Sequence, residues 1–162
     1  MPVTSCGILM WRRDRDAIRV LLTHPGGPFW RNRDAGAWTI PKGARDEGES
    51  DEQTAAREFH EDLGVPLQGA LVSLGEIVQR GGKHVRAFAV EGDFDVTQVR
   101  SMTFDCEWPP RSGRVQAYPE VDRAEWFTLG EARDKLLESQ CEFLDRLQAR
   151  LTAGSPGTAP SA

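Results

Sequence analysis

Three carboxylates, Glu58, Glu61 and Asp62, fall within little more than one turn of the most clearly bounded helix in this chain. Ser50 and Gln53 have capping-box spacing, which predicts a helix start at Asp51, and Gly64 with Pro66 behind it supplies the stop. At about 100° per residue, Ala56, Phe59 and Leu63 form one apolar arc and the three acids cluster opposite. Like charges at these spacings repel and weaken a helix, so the cluster predicts a neutralising cation. Hard oxygen donors suit Mg2+ or Mn2+, which also accept phosphate oxygens as ligands. Arg57, one turn before Glu61, is spaced to hold that carboxylate by a charge-assisted hydrogen bond.

An acidic helix face is ordinarily no more than solvated surface, and Arg57 with Glu61 an ordinary surface pair. The flanks separate this one from that reading. Gly43, Glu49, Arg57, Glu58, Glu61 and Gly64 follow the spacing G-x5-E-x7-R-E-φ-x-E-[E/D]-x-G-φ, where φ is apolar. With each fixed residue at roughly 6% of average sequence, a chance match in a chain of this length is about one in 10^5. The segment resembles the Nudix box, the signature of hydrolases that cut diphosphates linked to another moiety X. The resemblance implies an α/β (α+β) fold, a mixed β-sheet sandwiched between helices, with Glu58, Glu61 and Asp62 as metal ligands and Mg2+ (or Mn2+) as cofactor. Asp62 departs from the usual Glu and is one methylene shorter, which leaves direct, water-mediated or lost coordination open. Glu49 would either approach the metal or cap structure beside Arg57. In some family members a Glu on a loop after the box acts as base or extra ligand; Glu120, six residues ahead of Trp126, is the candidate here, against the plainer reading of a turn residue.

The approach to the box carries further candidates. Lys42 is one of three lysines in the chain and directly precedes Gly43 in TIPKG. That P-K-G form is similar to the one in Nudix enzymes acting on dinucleoside polyphosphates and diphosphoinositol compounds, so Lys42, Gly43 and Lys83 are expected to contact substrate phosphate. Phe29, Trp30 and Trp38 surround the preceding Gly/Pro loop, and aromatic faces stack on nucleobases. Trp30 and Trp38 are therefore expected at the substrate, although Trp38, on a short strand, also reads as core. A nucleotide is favoured over an inositol, which has no base to stack. HPGGPFWRNRDAGAWTIPKG and EWPPRSG resemble a bacterial Nudix subgroup of predicted NTP pyrophosphohydrolases. The resemblance covers residues 4 to about 150 and implies water attack at phosphorus in a nucleoside polyphosphate. The alternatives are a Nudix-fold nucleotide sensor of weak activity and a hydrolase of a diphosphoinositol.

Length and charge fit that expectation. A chain of 162 residues is within the range of one core, expected over residues 1–151, with residues 152–162 as a disordered tail. Net charge of -5 argues against binding duplex nucleic acid. Cys6, Cys106 and Cys141 lack C-x-x-C spacing and read as small hydrophobes in a reducing cytoplasm. No long apolar run or charged leader is seen, so neither a membrane nor secretion is expected. A monomer and a homodimer are both compatible.

Along the chain, residues 4–11 and 18–24 read as neighbouring strands, 38–40 as a short strand, 70–79 and 83–91 as a hairpin, and 124–128 as a last strand. TFDCEW and RVQAY read as extended, with an uncertain loop between them. Thr128 with Glu131 and Ser139 with Glu142 predict two capped helices, the second packing Phe143, Leu144, Leu147 and Leu151 on the sheet.

Overall fold

A computed structural model describes residues 3–153. In chain order it has β1 (Thr4–Asp14), β2 (Ala17–Pro25), β3 (Lys42–Ala44), α1 (Asp51–Leu63), β4 (Val72–Val78), β5 (His84–Glu91), β6 (Thr103–Glu107), β7 (Val115–Pro119), β8 (Val121–Thr128), α2 (Leu129–Lys135) and α3 (Cys141–Ala153). The main sheet runs β4-β5-β1-β2-β8, with β3 added to the first half of β1, and β6 and β7 form a separate two-stranded ribbon. β1 and β5 are parallel and the other pairs antiparallel, so the sheet is mixed.

Alternation of side chains sorts the central strands between two cores. Cys6, Ile8, Met10 and Leu21 pack under α1 with Ala55, Phe59, Leu63, Phe88 and Val90. Leu9, Val20, Leu22, Val85, Ala87 and Ala89 face the other way, against Phe143, Leu144 and Leu147 of α3 and Ala132 of α2. The expected sheet between helices is therefore present, with α1 alone on one face and α2 and α3 on the other. Among the described residues no helix is long and apolar enough to cross a membrane.

Several local expectations need correcting. The short strand at 38–40 is reduced to isolated bridges, Thr23 with Thr39 and Trp38 with Leu136, and the true strand is Lys42–Ala44. Ser139 does not cap α3: it is within a 3-10 turn, Glu138–Gln140, and the helix starts at Cys141. Glu142 instead pairs with Arg146 one turn on. Thr152 and Ala153 are the last residues of α3 rather than tail, while residues 154–162, the rest of the expected tail, lie outside the described residues. On α1 the buried small residue is Ala55, not Ala56, and Asp62 is buried with it. Two turns separate Ala55 and Asp62, so both project toward the sheet.

Trp38, expected at the substrate, is instead a core residue. It is 1% exposed and its indole N–H donates to Asp34 at 2.8 Å. Its ring meets His24 and Phe127 edge-on at centroid distances of 5.2 and 5.0 Å. Trp38 belongs to the core on the α3 side, across the sheet from the acidic helix. Truncating a large buried aromatic costs about 3–5 kcal/mol. Trp38→Ala is accordingly expected to lower the melting temperature sharply in thermal denaturation followed by circular dichroism, and a shift of under 2 °C would contradict its place in the core.

Candidate functional site

The site is built around the Arg57 guanidinium. Its Nε and Nη2 donate to both oxygens of Glu49 at 2.8 and 3.0 Å, Nη2 also reaches the Ala44 carbonyl at 3.0 Å, and Nη1 donates to Glu58 and Glu61 at 2.8 and 3.0 Å. Bidentate contact of this kind fixes direction as well as charge. Glu49 further accepts the Asp46 amide at 3.0 Å and the Thr54 hydroxyl at 2.9 Å. The Arg57 hydrogen bond, helped by the Asp46 amide, holds the Glu49 carboxyl down at about 2. Of the two roles open to Glu49, the geometry shows the one beside Arg57.

The helix carrying these residues is set by its ends. Ser50 and Gln53 exchange hydrogen bonds at 2.9 and 3.1 Å, and Gly64 closes the last turn in the left-handed region at φ 90°, its N–H donating to the His60 carbonyl. β3 then passes directly over Glu58. A Cβ on Gly43 would stand 2.0 Å from a Glu58 carboxylate oxygen, so only glycine lets strand and carboxylate occupy adjoining space.

Asp62 is 7% exposed and lies beneath β3, with the Lys42 backbone amide as its hydrogen-bond donor. Burial first, then the charges of Glu58 and Glu120, pushes its carboxyl up to about 8. Glu58 is raised by burial and by Glu61, and Glu120 by burial and again by Glu61. Glu120 stands just before β8 and projects toward these acids. Together Lys42, Gly43, Ala44, Glu58, Glu61 and Asp62 on one side, with Met102, Thr103 and Glu120 on the other, line a cleft of about 310 Å3.

Cations enter at the same place. The Lys42 ammonium is largely desolvated and lies within hydrogen-bond reach of Lys83, and these two effects, burial first, lower it to about 8. Lys83 comes from the β4–β5 turn, which a Gln79 amide to Lys83 carbonyl bond of 2.8 Å closes. The buried Gln140 side chain ties that turn to the approach of β3: it accepts the Ile40 amide at 3.0 Å and donates to Thr39 Oγ1 and Gln79 Oε1 at 2.9 and 3.0 Å.

The donor set fits a hard divalent cation. All candidate donors are carboxylate oxygens, and three of the four acids are held above their ordinary range by burial and by one another. Among the described residues no three His, Cys, Asp or Glu side chains converge as a finished ligand set. Arg57 occupies one oxygen each of Glu58 and Glu61, which leaves their other oxygens as donors. Cys6 offers no competing chemistry: burial and then Asp51 push its thiol up to about 12, and all three cysteines are free.

The structure thus brings together Glu58, Glu61, Asp62, Glu120, Arg57, Lys42, Gly43 and Lys83. Trp30 is half-buried on the loop after β2, edge-on to Phe29 at 5.0 Å with the Arg33 guanidinium 4.3 Å from Phe29, and it is not among the residues lining the acidic cleft. Met102 and Thr103 were missed in the sequence because only the pairing of β6 with β7 brings them beside Glu120. A larger cavity, about 660 Å3, lies under the far end of α1 between Val65 and Asp95, away from the acid cluster. Its Asp93 is engaged by Arg12, and its Asp95 by Thr97.

Comparison with known proteins places this architecture. Residues 1–147 match the NUDIX domain family. A curated relative, the asymmetrical bis(5'-nucleosyl)-tetraphosphatase of Sus scrofa, is 37% identical over 71 residues, which are 40% of this chain and 44% of that protein, so the match spans under half the relative's length. Among solved structures, an Ap4A hydrolase binary complex from C. elegans superposes with a TM-score of 0.64 at 20% identity over 92% of this chain and 98% of that one. The NUDIX domain of Shewanella oneidensis NrtR, complexed with ADP ribose, gives 0.65 at 16% identity over 93% and 89%. The family match extends over nearly all the described residues, and the chain belongs to the NUDIX domain family.

Proposed function

We propose that this protein is a Mg2+- or Mn2+-dependent pyrophosphohydrolase that cleaves a phosphoanhydride bond of a nucleoside polyphosphate, either an NTP or a dinucleoside polyphosphate, by water attack at phosphorus. The observation that carries the proposal is a surplus of carboxylate around one cleft: buried Asp62, half-buried Glu58 and the more exposed Glu120 are all raised above their ordinary range, with Lys42 beside them and Lys83 next to Lys42. A site with excess negative charge, lined also by the Lys42 ammonium with Lys83 behind it, matches a cation and a polyphosphate together. The relatives point the same way, since the pig protein is a bis(5'-nucleosyl)-tetraphosphatase and the nematode one an Ap4A hydrolase. Free thiols at all three cysteines agree with a cytoplasmic setting.

In this reading Glu58, Glu61 and Asp62 hold the divalent ion, which when bound offsets charge on the phosphoryl oxygens. Arg57 keeps Glu58 and Glu61 in position, and Glu49 in turn keeps Arg57 from swinging. Lys42 and Lys83 contact phosphate oxygens, with Lys42 stiffened by burial. Glu120 faces the acids across the cleft and, with its carboxyl raised by burial and by Glu61, accepts the proton of the attacking water. A second reading, a nucleotide-binding module of weak activity, draws on Asp62, whose short carboxyl is already engaged by the Lys42 amide. Retention of Glu58, Glu61 and the Arg57 clamp favours the enzyme.

Phosphate release from a panel of nucleoside polyphosphates should cease on chelation and return with Mg2+ or Mn2+; hydrolysis undiminished after EDTA treatment and desalting would refute the cation's role. Glu61→Gln should lower kcat by about 100-fold or more, a few kcal/mol of lost transition-state stabilisation, with an unchanged circular dichroism spectrum. A native spectrum with a loss under threefold would remove Glu61 from the ligands.

The Asp62 carboxyl also sets a pH dependence. Its folded value of about 8 lies above its ordinary 3.8, so the folded protein holds the extra proton through that window and is stabilised by it at low pH. This contribution is complete below about pH 4 and lost as pH rises through 8. In EDTA the melting temperature of the wild type should therefore fall relative to Asp62→Asn between those limits, and Mg2+ should recover the loss at the alkaline end. Parallel curves for the two proteins would show that Asp62 is not held protonated.

A further inference from the structure

The β6–β7 ribbon stands apart from the main sheet, and its root forms one wall of the acidic cleft. Its register pairs Phe104 with Tyr118 and Thr103 with Pro119, and the Glu120 amide donates to the Met102 carbonyl at 2.8 Å. Met102 and Glu120 are therefore one pair closer to the cleft than Thr103 and Pro119, and Phe104 and Tyr118 one pair farther out. Because side chains alternate along a strand, Met102, Glu120, Phe104 and Tyr118 share one face of the ribbon. Two residues at about 3.3 Å each place the aromatic pair about 7 Å beyond the pair that borders the acids.

Both rings are half-buried, with centroids 6.3 Å apart and planes inclined at 42°, and the Tyr118 hydroxyl donates to Gln116 Oε1 at 3.1 Å. The loop after β2 is fitted to them. Gly27, at φ 96°, would place a Cβ 3.0 Å from the Phe104 ring, and a Cβ on Gly26 would stand 1.9 Å from the Pro119 carbonyl oxygen. The two glycines let the backbone lie directly against the ribbon at Phe104 and Pro119. Nothing in the core requires these rings, since neither belongs to the two hydrophobic clusters under the helices.

We infer that Phe104 and Tyr118 are the platform on which this protein holds the planar group X of its substrate, a nucleobase, while the phosphates extend along Met102 and Glu120 into the acidic cleft. The inference rests on the proposed hydrolase reading and moves base recognition from the Trp30 loop, which sequence reasoning favoured, to the ribbon. Phe104 and Tyr118 determine specificity; they are remote from the reacting phosphorus and act on affinity.

The test compares wild type with Phe104→Leu, Tyr118→Leu and Phe104→Tyr. It uses KM and kcat for nucleoside triphosphate and dinucleoside tetraphosphate, and the inhibition constant of inorganic tripolyphosphate, which has phosphates but no plane. Binding of a non-hydrolysable methylene nucleoside triphosphate is measured alongside by calorimetry. Each leucine variant should raise KM, and weaken analogue binding, by about 5- to 100-fold, with kcat within threefold and the tripolyphosphate constant within twofold. Phe104→Tyr should stay within threefold of wild type. Leucine keeps apolar bulk, and Tyr118→Leu carries the same test where Phe104→Leu does not fold. Unchanged nucleotide KM in the leucine variants overturns the platform while leaving the hydrolase reading intact, as does a parallel loss of tripolyphosphate affinity. A wild type that neither cleaves nor binds any nucleoside polyphosphate overturns both.

Discussion

One guanidinium organises this molecule's chemistry. Arg57 touches Glu49 before the helix, Glu58 and Glu61 on it, and the end of β3 through the Ala44 carbonyl. Without that cation three carboxylates would repel across a few ångströms and β3 would lose its tie to α1. With it, the acids are oriented but not neutralised, because four acidic groups remain around one clamp and one half-buried lysine. That imbalance makes the cleft receptive to a further cation and, after burial, adds to the raised carboxyls of Asp62, Glu58 and Glu120. Pairing is complete around Glu49 and deliberately incomplete around Asp62, and the two environments lie within one helix length of each other.

Much of this was legible because it is local. The limits of α1 follow from a capping box at Ser50 and a left-handed Gly64, and the strands β1, β2, β4 and β5 from alternation bounded by turn residues. The glycine at 43 was recognisable by position, but its reason, the 2.0 Å approach to Glu58, requires three dimensions. Helical spacing alone misjudged Asp62. A carboxylate was assigned to the polar face, whereas β3 covers that side of the helix and supplies an amide donor that offsets part of its burial. Trp38 was misjudged for a related reason: an aromatic beside a Gly/Pro loop reads as exposed, yet the chain turns inward at Ala37 and the indole finds Asp34 and Phe127.

What stayed illegible was non-local. The register of β6 with β7 depends on how two extended segments meet across a Pro/Gly turn, and only that register turns Phe104 and Tyr118 toward the side bordered by Glu120. The same holds for Ser139 and Glu142, whose spacing copies a capping box although a 3-10 turn takes the place of the cap. Short-range pattern rules carry no information about which of two locally acceptable backbones the surrounding packing selects.

The Gln140 tether bears on how variants of this protein would be interpreted. A fully buried carboxamide, 100 residues from Ile40 in sequence, fastens Thr39 and Ile40 ahead of β3, and through Gln79 the turn that carries Lys83. Lys42, which lines the cleft, and Lys83, its neighbour, are therefore spaced by a residue that does not line it. Loss of that amide would leave the acids and their clamp untouched while letting the ammonium groups drift apart, so inherited change on the α3 side of the sheet could alter substrate preference while every residue of the cleft stays the same.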